Sequence, residues 1–248
     1  MSLAQNVWKT PPENLILENS EAHVWKVLLN RSDSQIDRLK TVLLPDEHTR
    51  AGRFYFQKDR DAFTIARGML RIILSRYVRF EPNELAFDYS SYGKPSLQAR
   101  FNANMLQFNL SHSHHIALIA VCWQHEIGVD VEWMRDTLSD MQIAERFFSP
   151  AEVAALLTVP PAEQKGAFFN CWTRKEAFIK AKGMGLSIPL DQFDVSLKPG
   201  EPAVLQQTGF EPDEACKWAM IDVPLESDYR AALAISRTIT RITYWQAA

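Results

Sequence analysis

The chain has 248 residues, of which 46% are hydrophobic and 23% are charged, a balance typical of a soluble globular protein with one large or two small domains. Its net charge of −3 gives no general basic field, so a nucleic-acid-binding protein is not expected. The longest nearly uncharged apolar run, Ile116–Trp123, is far shorter than the ~20 residues that span a bilayer, so we expect no membrane segment.

The first half of the chain predicts a strand, three helices and further strands. The longest helix has apolar residues recurring at spacings of three and four, which is one buried stripe. In chain order we predict a strand at 23–29, helices at 34–42, from Pro45 onward and at about 59–78, and strands at 85–90, 108–111 and 116–123.

The second half repeats this order. We predict a strand at 127–132 and helices at 141–147, 150–157 and 167–182. The tetrapeptide FDYS at 87–90, which follows a long helix, is echoed by FDVS at 193–196 after the last helix. We therefore predict an α+β fold of two similar pseudo-symmetric halves, residues 1–124 and 125–248, with the active site in the cleft between them.

Cysteine usage indicates a reducing compartment. The chain has only Cys122, Cys171 and Cys216, an odd number without a CxxC pair. The N-terminal residues also lack the basic-then-apolar pattern of a signal peptide. We expect a cytoplasmic protein.

Asp130 and Glu132 are the strongest single indication of chemistry. Side chains alternate along a strand, so these two carboxylates share one face while Val129 and Val131 point to the core. Neighbouring carboxylates repel each other, and a divalent cation such as magnesium resolves that repulsion with hard oxygen ligands. The alternative is a solvent-facing edge that happens to hold two unrelated acids.

A second cluster lies on the last long helix. Glu176 and Lys180 are four residues apart on one helical stripe, and Lys175 lies beside it. An acid flanked by two lysines is also a common surface salt-bridge pattern. If the helix faces the strand of Asp130 and Glu132, Glu176 completes a three-carboxylate metal site and the lysines can neutralise phosphate oxygens.

A third cluster, NLSHSHH at 109–115, contains His112, His114 and His115. A zinc hydrolase is one alternative, although no cysteine and no HExxH pattern accompanies the histidines. We interpret the run as a loop of small polar residues that offers hydrogen-bond donors to an anion. The turn with Lys94 and Pro95 adds a lysine, and no Walker loop or GxGxxG fingerprint is present.

Five motifs in this order resemble the Sfp-type 4′-phosphopantetheinyl transferases. They cover roughly residues 45–196, and they are GKP at 93–95, FNLSHS at 108–113, GVDVE at 128–132, FFSPAE at 147–152 and WTRKEAFIK at 172–180. The resemblance implies that coenzyme A binds between the two halves. It also implies transfer of the 4′-phosphopantetheine moiety of coenzyme A to a serine of an apo carrier protein, with release of 3′,5′-ADP. A non-catalytic scaffold or carrier-binding protein is the remaining alternative.

By this resemblance, Asp130, Glu132 and Glu176 hold Mg²⁺ against the pyrophosphate of coenzyme A. Lys175 and Lys180 also meet those phosphates. Asp130, Glu176 and Lys180 are the catalytic residues, and Glu176 is the candidate general base, directly or through a metal-bound water.

The resemblance also implies contacts with the nucleotide end of coenzyme A. Ser111 and His112 contact the nucleotide, with His112 near the 3′-phosphate. Lys94 and Pro95 lie near the adenine and ribose. Arg53 stands where the family has a basic residue for the 3′-phosphate.

One departure concerns Glu47, which falls where some members of the family have a lysine. Arg67 and Arg71 lie four apart on one helix face, so they need solvent or an anion to offset their repulsion. We expect them to support the 3′-phosphate site indirectly.

The implied partner is an apo acyl carrier protein or a carrier domain of a polyketide or peptide synthase, presenting an acidic helix beside its serine. We expect a monomer, since the shorter trimeric type in this family has half the length. The apolar, glycine-containing segment 182–190 is a candidate for carrier docking. The alternative is that Leu186, Ile188 and Leu190 enter the core.

Overall fold

The computed structural model describes residues 7–135, 140–210 and 213–247. The first half holds a strand, three helices and four more strands, with a 3-10 turn at Ala99–Phe101 before the last two. These elements are β1 (Glu21–Leu28), α1 (Asp33–Lys40), α2 (Pro45–Gly52), α3 (Gln57–Val78), β2 (Phe87–Tyr89), β3 (Pro95–Leu97), β4 (Leu106–Ser113) and β5 (Ile116–Trp123).

The second half follows the same order, with 3-10 turns at Gly185–Ser187 and Leu190–Gln192. It adds one four-residue helix and one final strand. Its elements are β6 (Ile127–Trp133), α4 (Asp140–Phe147), α5 (Pro150–Leu157), α6 (Pro161–Lys182), β7 (Phe193–Val195), β8 (Leu205–Thr208), α7 (Glu214–Lys217), β9 (Trp218–Asp222), β10 (Tyr229–Ser236) and β11 (Arg241–Gln246).

The sheets confirm the predicted repeat. One sheet contains β1, β5 and β4 in that order, and the other contains β6, β10 and β9, which are the corresponding strands of the second half. Each half also has a small hairpin, β2–β3 or β7–β8, after a helix of 22 residues. The α+β fold of two similar halves is therefore confirmed.

The final strand crosses back to the first half. β11 pairs in parallel with β1, so that Glu21 lies opposite Arg241 and Lys26 opposite Gln246. Glu21 accepts a hydrogen bond from Arg241 (2.9 Å) and lies almost fully buried. A cut after residue 124 would thus leave the first sheet without one of its strands, and the division into 1–124 and 125–248 stays a prediction.

Apolar side chains form three clusters, one under each long helix and one between the two sheets. Val129 and Val131 enter the cluster between the sheets, as predicted from their alternation with the acids. On the opposite face of β6, Gly128 lies against α6, where an added Cβ would come within 2.1 Å of the Ala177 carbonyl oxygen. Glycine therefore lets α6 pass directly over the strand that holds the two acids.

Within the described residues, none of the helices combines the length and the apolar character needed to cross a bilayer. The strand predicted at 108–111 is confirmed, but the loop predicted after it is shorter than expected, because β4 continues to Ser113 and only the tight turn at His114 and His115 separates it from β5. His114 takes up a left-handed backbone conformation with φ 52° in that turn.

Candidate active site

Side chains of one strand join the two halves of the molecule. β4 and β6 lie side by side, and polar side chains that alternate along β4 accept backbone N–H groups of β6. The three bonds are Val129 N–H to Asn109 Oδ1 (2.9 Å), Val131 N–H to Ser111 Oγ (3.4 Å) and Trp133 N–H to Ser113 Oγ (3.0 Å). We call this set the seam, and it places β6 in a defined register against the first half.

Asp130 lies on the seam and is buried. Its Oδ1 accepts a hydrogen bond from the hydroxyl of Ser111 (2.9 Å) and forms an ion pair with the Lys180 ammonium (2.5 Å). Its Oδ2 is buried and has no hydrogen-bond partner among the described residues. A buried, unpartnered carboxylate oxygen is costly unless another group, such as a cation, meets it.

Glu132 and Glu176 extend this cluster. Burial raises the pKa of Glu132, and the charge of Asp130 adds to the effect. Burial raises the pKa of Glu176 to about 7, with Asp130 and Glu132 adding to the rise and Lys180 opposing it. Burial alone would lower the pKa of Lys180, but Asp130 and the other acids outweigh it and raise that pKa. The predicted juxtaposition of α6 with the Asp130 strand is therefore present.

The carboxylates fit a hard divalent cation in charge and donor type. As the side chains stand, no group of three His, Cys, Asp or Glu residues within the described ranges has the spacing of a metal site. The open Oδ2 of Asp130 and the mutual repulsion of the three acids are the features that a cation with oxygen ligands would relieve. In the turn after β4, the rings of His114 and His115 pack against each other (centroids 3.5 Å apart), and His114 stacks on Trp133.

A groove beside the seam brings several predicted nucleotide contacts together. It has a volume of about 420 Å³, and Arg53, Pro95 and His112 all line it. Although His112 is exposed at one edge, the loss of hydration against the groove walls lowers its pKa, and the charge of Lys180 adds to this. An adjoining groove of about 990 Å³ shares His112 and Arg50.

Arg50 is a basic residue that sequence reasoning missed. It lines both grooves, and its guanidinium lies 5.5 Å from the centre of the Phe63 ring. The available signal was its spacing of three from Arg53, which puts both residues on one face of the helix α2 and its C-terminal end.

Glu47 supplies the negative charge that offsets the repulsion between Arg67 and Arg71. Its buried carboxylate pairs with Arg67 and, at 2.7 Å, with Arg71, whose side chain is also buried. Burial pushes the pKa of Glu47 upward, but the hydrogen bond from Arg71 and the charge of Arg67 outweigh it and lower that pKa. The anion these two arginines need is thus part of the protein, and Glu47 and Arg67 line the groove.

One predicted ligand contact needs correction. Lys175 is fully buried, and its ammonium pairs with Glu152 (2.8 Å) and donates to the Leu190 and Phe193 carbonyls. It faces away from the cluster of acids, so its predicted phosphate contact is wrong. The buried charge instead ties α6 to α5 and to the start of β7.

Lys94 and Ser111 are also engaged within the protein. Lys94 donates to the carbonyl oxygens of Ala181 (2.7 Å) and Ile127 (3.4 Å), which links the β2–β3 hairpin to the second half. Burial lowers the pKa of Lys94, opposed by Glu126. The hydroxyl of the buried Ser111 donates to Asp130, and the nucleotide contacts predicted for Lys94 and Ser111 stay predictions.

The described fold and site define a two-half enzyme with an acidic centre at the seam. Residues 126–234 match the model of the 4′-phosphopantetheinyl transferase superfamily, and residues 29–124 match that of the 4′-phosphopantetheinyl transferase N-terminal family. The chain belongs to the 4′-phosphopantetheinyl transferase superfamily, and it is an enzyme of this class.

Two relatives carry the same family name. The chain is 39% identical over 243 residues to the 4′-phosphopantetheinyl transferase HetI of Nostoc, covering 98% of this chain and 99% of that protein. It is 33% identical over 166 residues to the 4′-phosphopantetheinyl transferase Sfp of Bacillus subtilis, covering 67% of this chain and 71% of that protein. The solved apo-ACPS structure of Chronobacterium ammoiniagenes is 20% identical, with a TM-score of 0.36, and covers 45% of this chain and 94% of that one.

Proposed function

We propose that the enzyme transfers the 4′-phosphopantetheine moiety of coenzyme A to a serine of an apo carrier protein at the seam, with the help of Mg²⁺. One observation supports this site most directly. Asp130, Glu132 and Glu176 gather with Lys180 at the seam, next to a groove lined by basic side chains. Such an arrangement suits a cation and a charged pyrophosphate.

Coenzyme A would lie in the groove that contains Arg53, Pro95 and His112. Arg50 and Arg53 supply positive charge for the 3′-phosphate, since a guanidinium can donate two hydrogen bonds to two phosphate oxygens at once. His112, whose pKa is lowered by burial and by the charge of Lys180, serves as a hydrogen-bond partner for the same phosphate. Pro95 contributes an apolar surface to the wall beside the adenine.

Asp130, Glu132 and Glu176 would hold the Mg²⁺. When bound, the cation would neutralise charge on the pyrophosphate oxygens. Lys180 keeps its positive charge, because the surrounding acids raise its pKa, and it stabilises the same oxygens from the side of α6. The remaining contribution of the protein is alignment of the two substrates.

The transfer needs no reactant other than coenzyme A and the carrier protein. The serine oxygen of the carrier attacks the phosphorus that bears the pantetheine, the bond from that phosphorus to the bridging oxygen breaks, and 3′,5′-ADP leaves. The serine proton needs an acceptor, and Glu176 is our candidate. Burial and the charges of Asp130 and Glu132 raise the pKa of Glu176 to about 7 before a cation binds, and a bound cation would lower it again, so Glu176 would accept the proton as an ionised carboxylate.

The partner in our proposal is an acyl or peptidyl carrier, free or as a domain of a polyketide or peptide synthase, as in fatty-acid or related synthesis. Within the docking segment, Met184 is exposed, whereas Ile188 and Leu190 are buried in the core of the second half. Only the backbone of Leu186 is described. We therefore place the proposed carrier-docking surface around Met184 alone. We also propose that the enzyme is a monomer and that it is cytoplasmic, a compartment in which the three free cysteines stay reduced.

Incubation with coenzyme A, MgCl₂ and an apo carrier protein tests the function. The intact mass of the carrier should rise by one phosphopantetheine group, and equimolar 3′,5′-ADP should appear. A chelator should prevent both changes. A carrier of unchanged mass, tested across acyl and peptidyl types with folded enzyme, would favour the scaffold alternative.

Arg53→Ala and His112→Ala should each weaken coenzyme A more than 3′-dephospho-coenzyme A. A charge-assisted hydrogen bond contributes roughly 1.5–3 kcal/mol, which is about ten- to a hundredfold in affinity. Calorimetric titration of both ligands measures the difference. Equal losses for the two ligands would contradict the 3′-phosphate assignment, and Arg79→Ala, at a residue that does not line the groove, serves as the matched control.

A further inference from the structure

Two serines on β4 make the same pair of hydrogen bonds two residues apart. Ser111 accepts the N–H of Val131 and donates to Asp130, the residue before Val131. Ser113 accepts the N–H of Trp133 (3.0 Å) and donates to Glu132 Oε2 (3.0 Å), the residue before Trp133. Each hydroxyl oxygen therefore accepts a seam hydrogen bond from β6, and each hydroxyl proton is donated to a carboxylate and orients it.

The third side chain of the seam supplies an internal comparison. Asn109 accepts the N–H of Val129 (2.9 Å), and no hydrogen bond joins it to either acid in the described structure. Asn109 thus closes the seam without orienting a carboxylate. The carboxylate bonds of Ser111 and Ser113 are an addition to what joining the two sheets requires.

Glu132 has few other restraints on its carboxylate. Glu132 is half-buried, and the bond from Ser113 is the only hydrogen bond of its carboxylate within the described residues. Asp130 is fixed by both Ser111 and Lys180. An ionised carboxylate with one fixed oxygen presents the other oxygen in a defined direction, which preorganises it as a ligand.

We propose that Ser113 is a positioning residue that orients Glu132 for cation binding. This inference rests on the proposed function, because it assigns Glu132 to the Mg²⁺ site. The proton of the Ser113 hydroxyl holds Oε2, and the N–H of Trp133 fixes the direction of that hydroxyl. Ser113 touches neither substrate in this assignment, so its removal affects affinity for the cation.

The test is a titration of the full-length enzyme with MgCl₂ at saturating coenzyme A, followed by thermal unfolding. The unfolding temperature of the wild type should rise with magnesium, because a ligand that binds only the folded state stabilises it. Loss of an outer-shell partner typically costs about 10–100-fold in metal affinity. We therefore expect the midpoint of this rise to increase at least about tenfold in Ser113→Ala and to return toward the wild-type value in Ser113→Thr.

Transfer kinetics and a seam control complete the experiment. Turnover by Ser113→Ala should recover as magnesium approaches saturation, with the Michaelis constant for the carrier unchanged. Asn109→Ala removes a seam bond but no carboxylate bond, so its magnesium midpoint should stay near that of the wild type even if it unfolds at a lower temperature.

Three results would overturn the inference. A wild-type midpoint in Ser113→Ala contradicts the role of Ser113 alone, and an equal increase in Asn109→Ala assigns the effect to a loosened seam. Absence of any magnesium response in the wild type contradicts the proposed cation site and this role with it, whereas transfer to the carrier in that case would leave the function standing.

Discussion

Asp130→Ala should reduce transfer by at least about 10²–10³-fold, the range seen when a single preorganised electrostatic group is removed from an active site. Asp130 is the acid that contacts Ser111 and Lys180 and that has a buried oxygen open to a cation. Its removal would take away one proposed ligand and leave Lys180 without its ion-pair partner. The expected loss is in turnover at saturating coenzyme A and carrier.

Initial rates of carrier modification across a magnesium series measure this loss. Asp130→Asn keeps the shape of the side chain and should lose activity to a similar degree, because the charge is what the cation site needs. Glu163 is an exposed acid in the first turn of α6, so Glu163→Gln is the matched control and should retain activity. Near-normal turnover by a folded Asp130→Ala protein would remove Asp130 from the site.

Repeating local patterns explain why much of the fold could be predicted. The alternation of Val129 and Val131 with two acids follows from the geometry of a strand, and the structure confirms both faces. β5 begins and ends where the apolar run does, at Ile116–Trp123. Both features depend only on residues that are close together in the sequence.

Contacts between distant segments explain the errors. The partner of Lys175 is Glu152, and the partner of Arg71 is Glu47, each on another helix. No local pattern specifies such a pair. A lysine on a helix beside a metal-site acid has the same sequence pattern whether it faces the ligand or the core, and the resemblance to a family motif does not distinguish the two. The seam was missed for the same reason, since it joins β4 to β6 through side chains.

Lys175→Met should lower the free energy of unfolding by about 3–5 kcal/mol, the usual cost of removing one partner from a buried ion pair. The Lys175 ammonium pairs with Glu152, which also accepts hydrogen bonds from the N–H groups of Ser149 (2.9 Å) and Val195 (2.8 Å). Burial raises the pKa of Glu152, and the charge of Lys175 opposes the rise. Without Lys175, the carboxylate would stay buried and lose its counter-charge.

Denaturant unfolding of the single and double variants tests this role. Lys175→Met with Glu152→Gln removes both charges, so the double variant should be more stable than the sum of the single losses predicts, since the two residues are in direct contact. Coenzyme A affinity of Lys175→Met, measured where the protein is fully folded, should match that of the wild type, because the ammonium is turned away from the acids at the seam. A variant of normal stability with weakened coenzyme A binding would instead return Lys175 to the phosphate site.

Lys180→Met should instead show a large loss of transfer, because the Lys180 ammonium forms an ion pair with Asp130 at the seam.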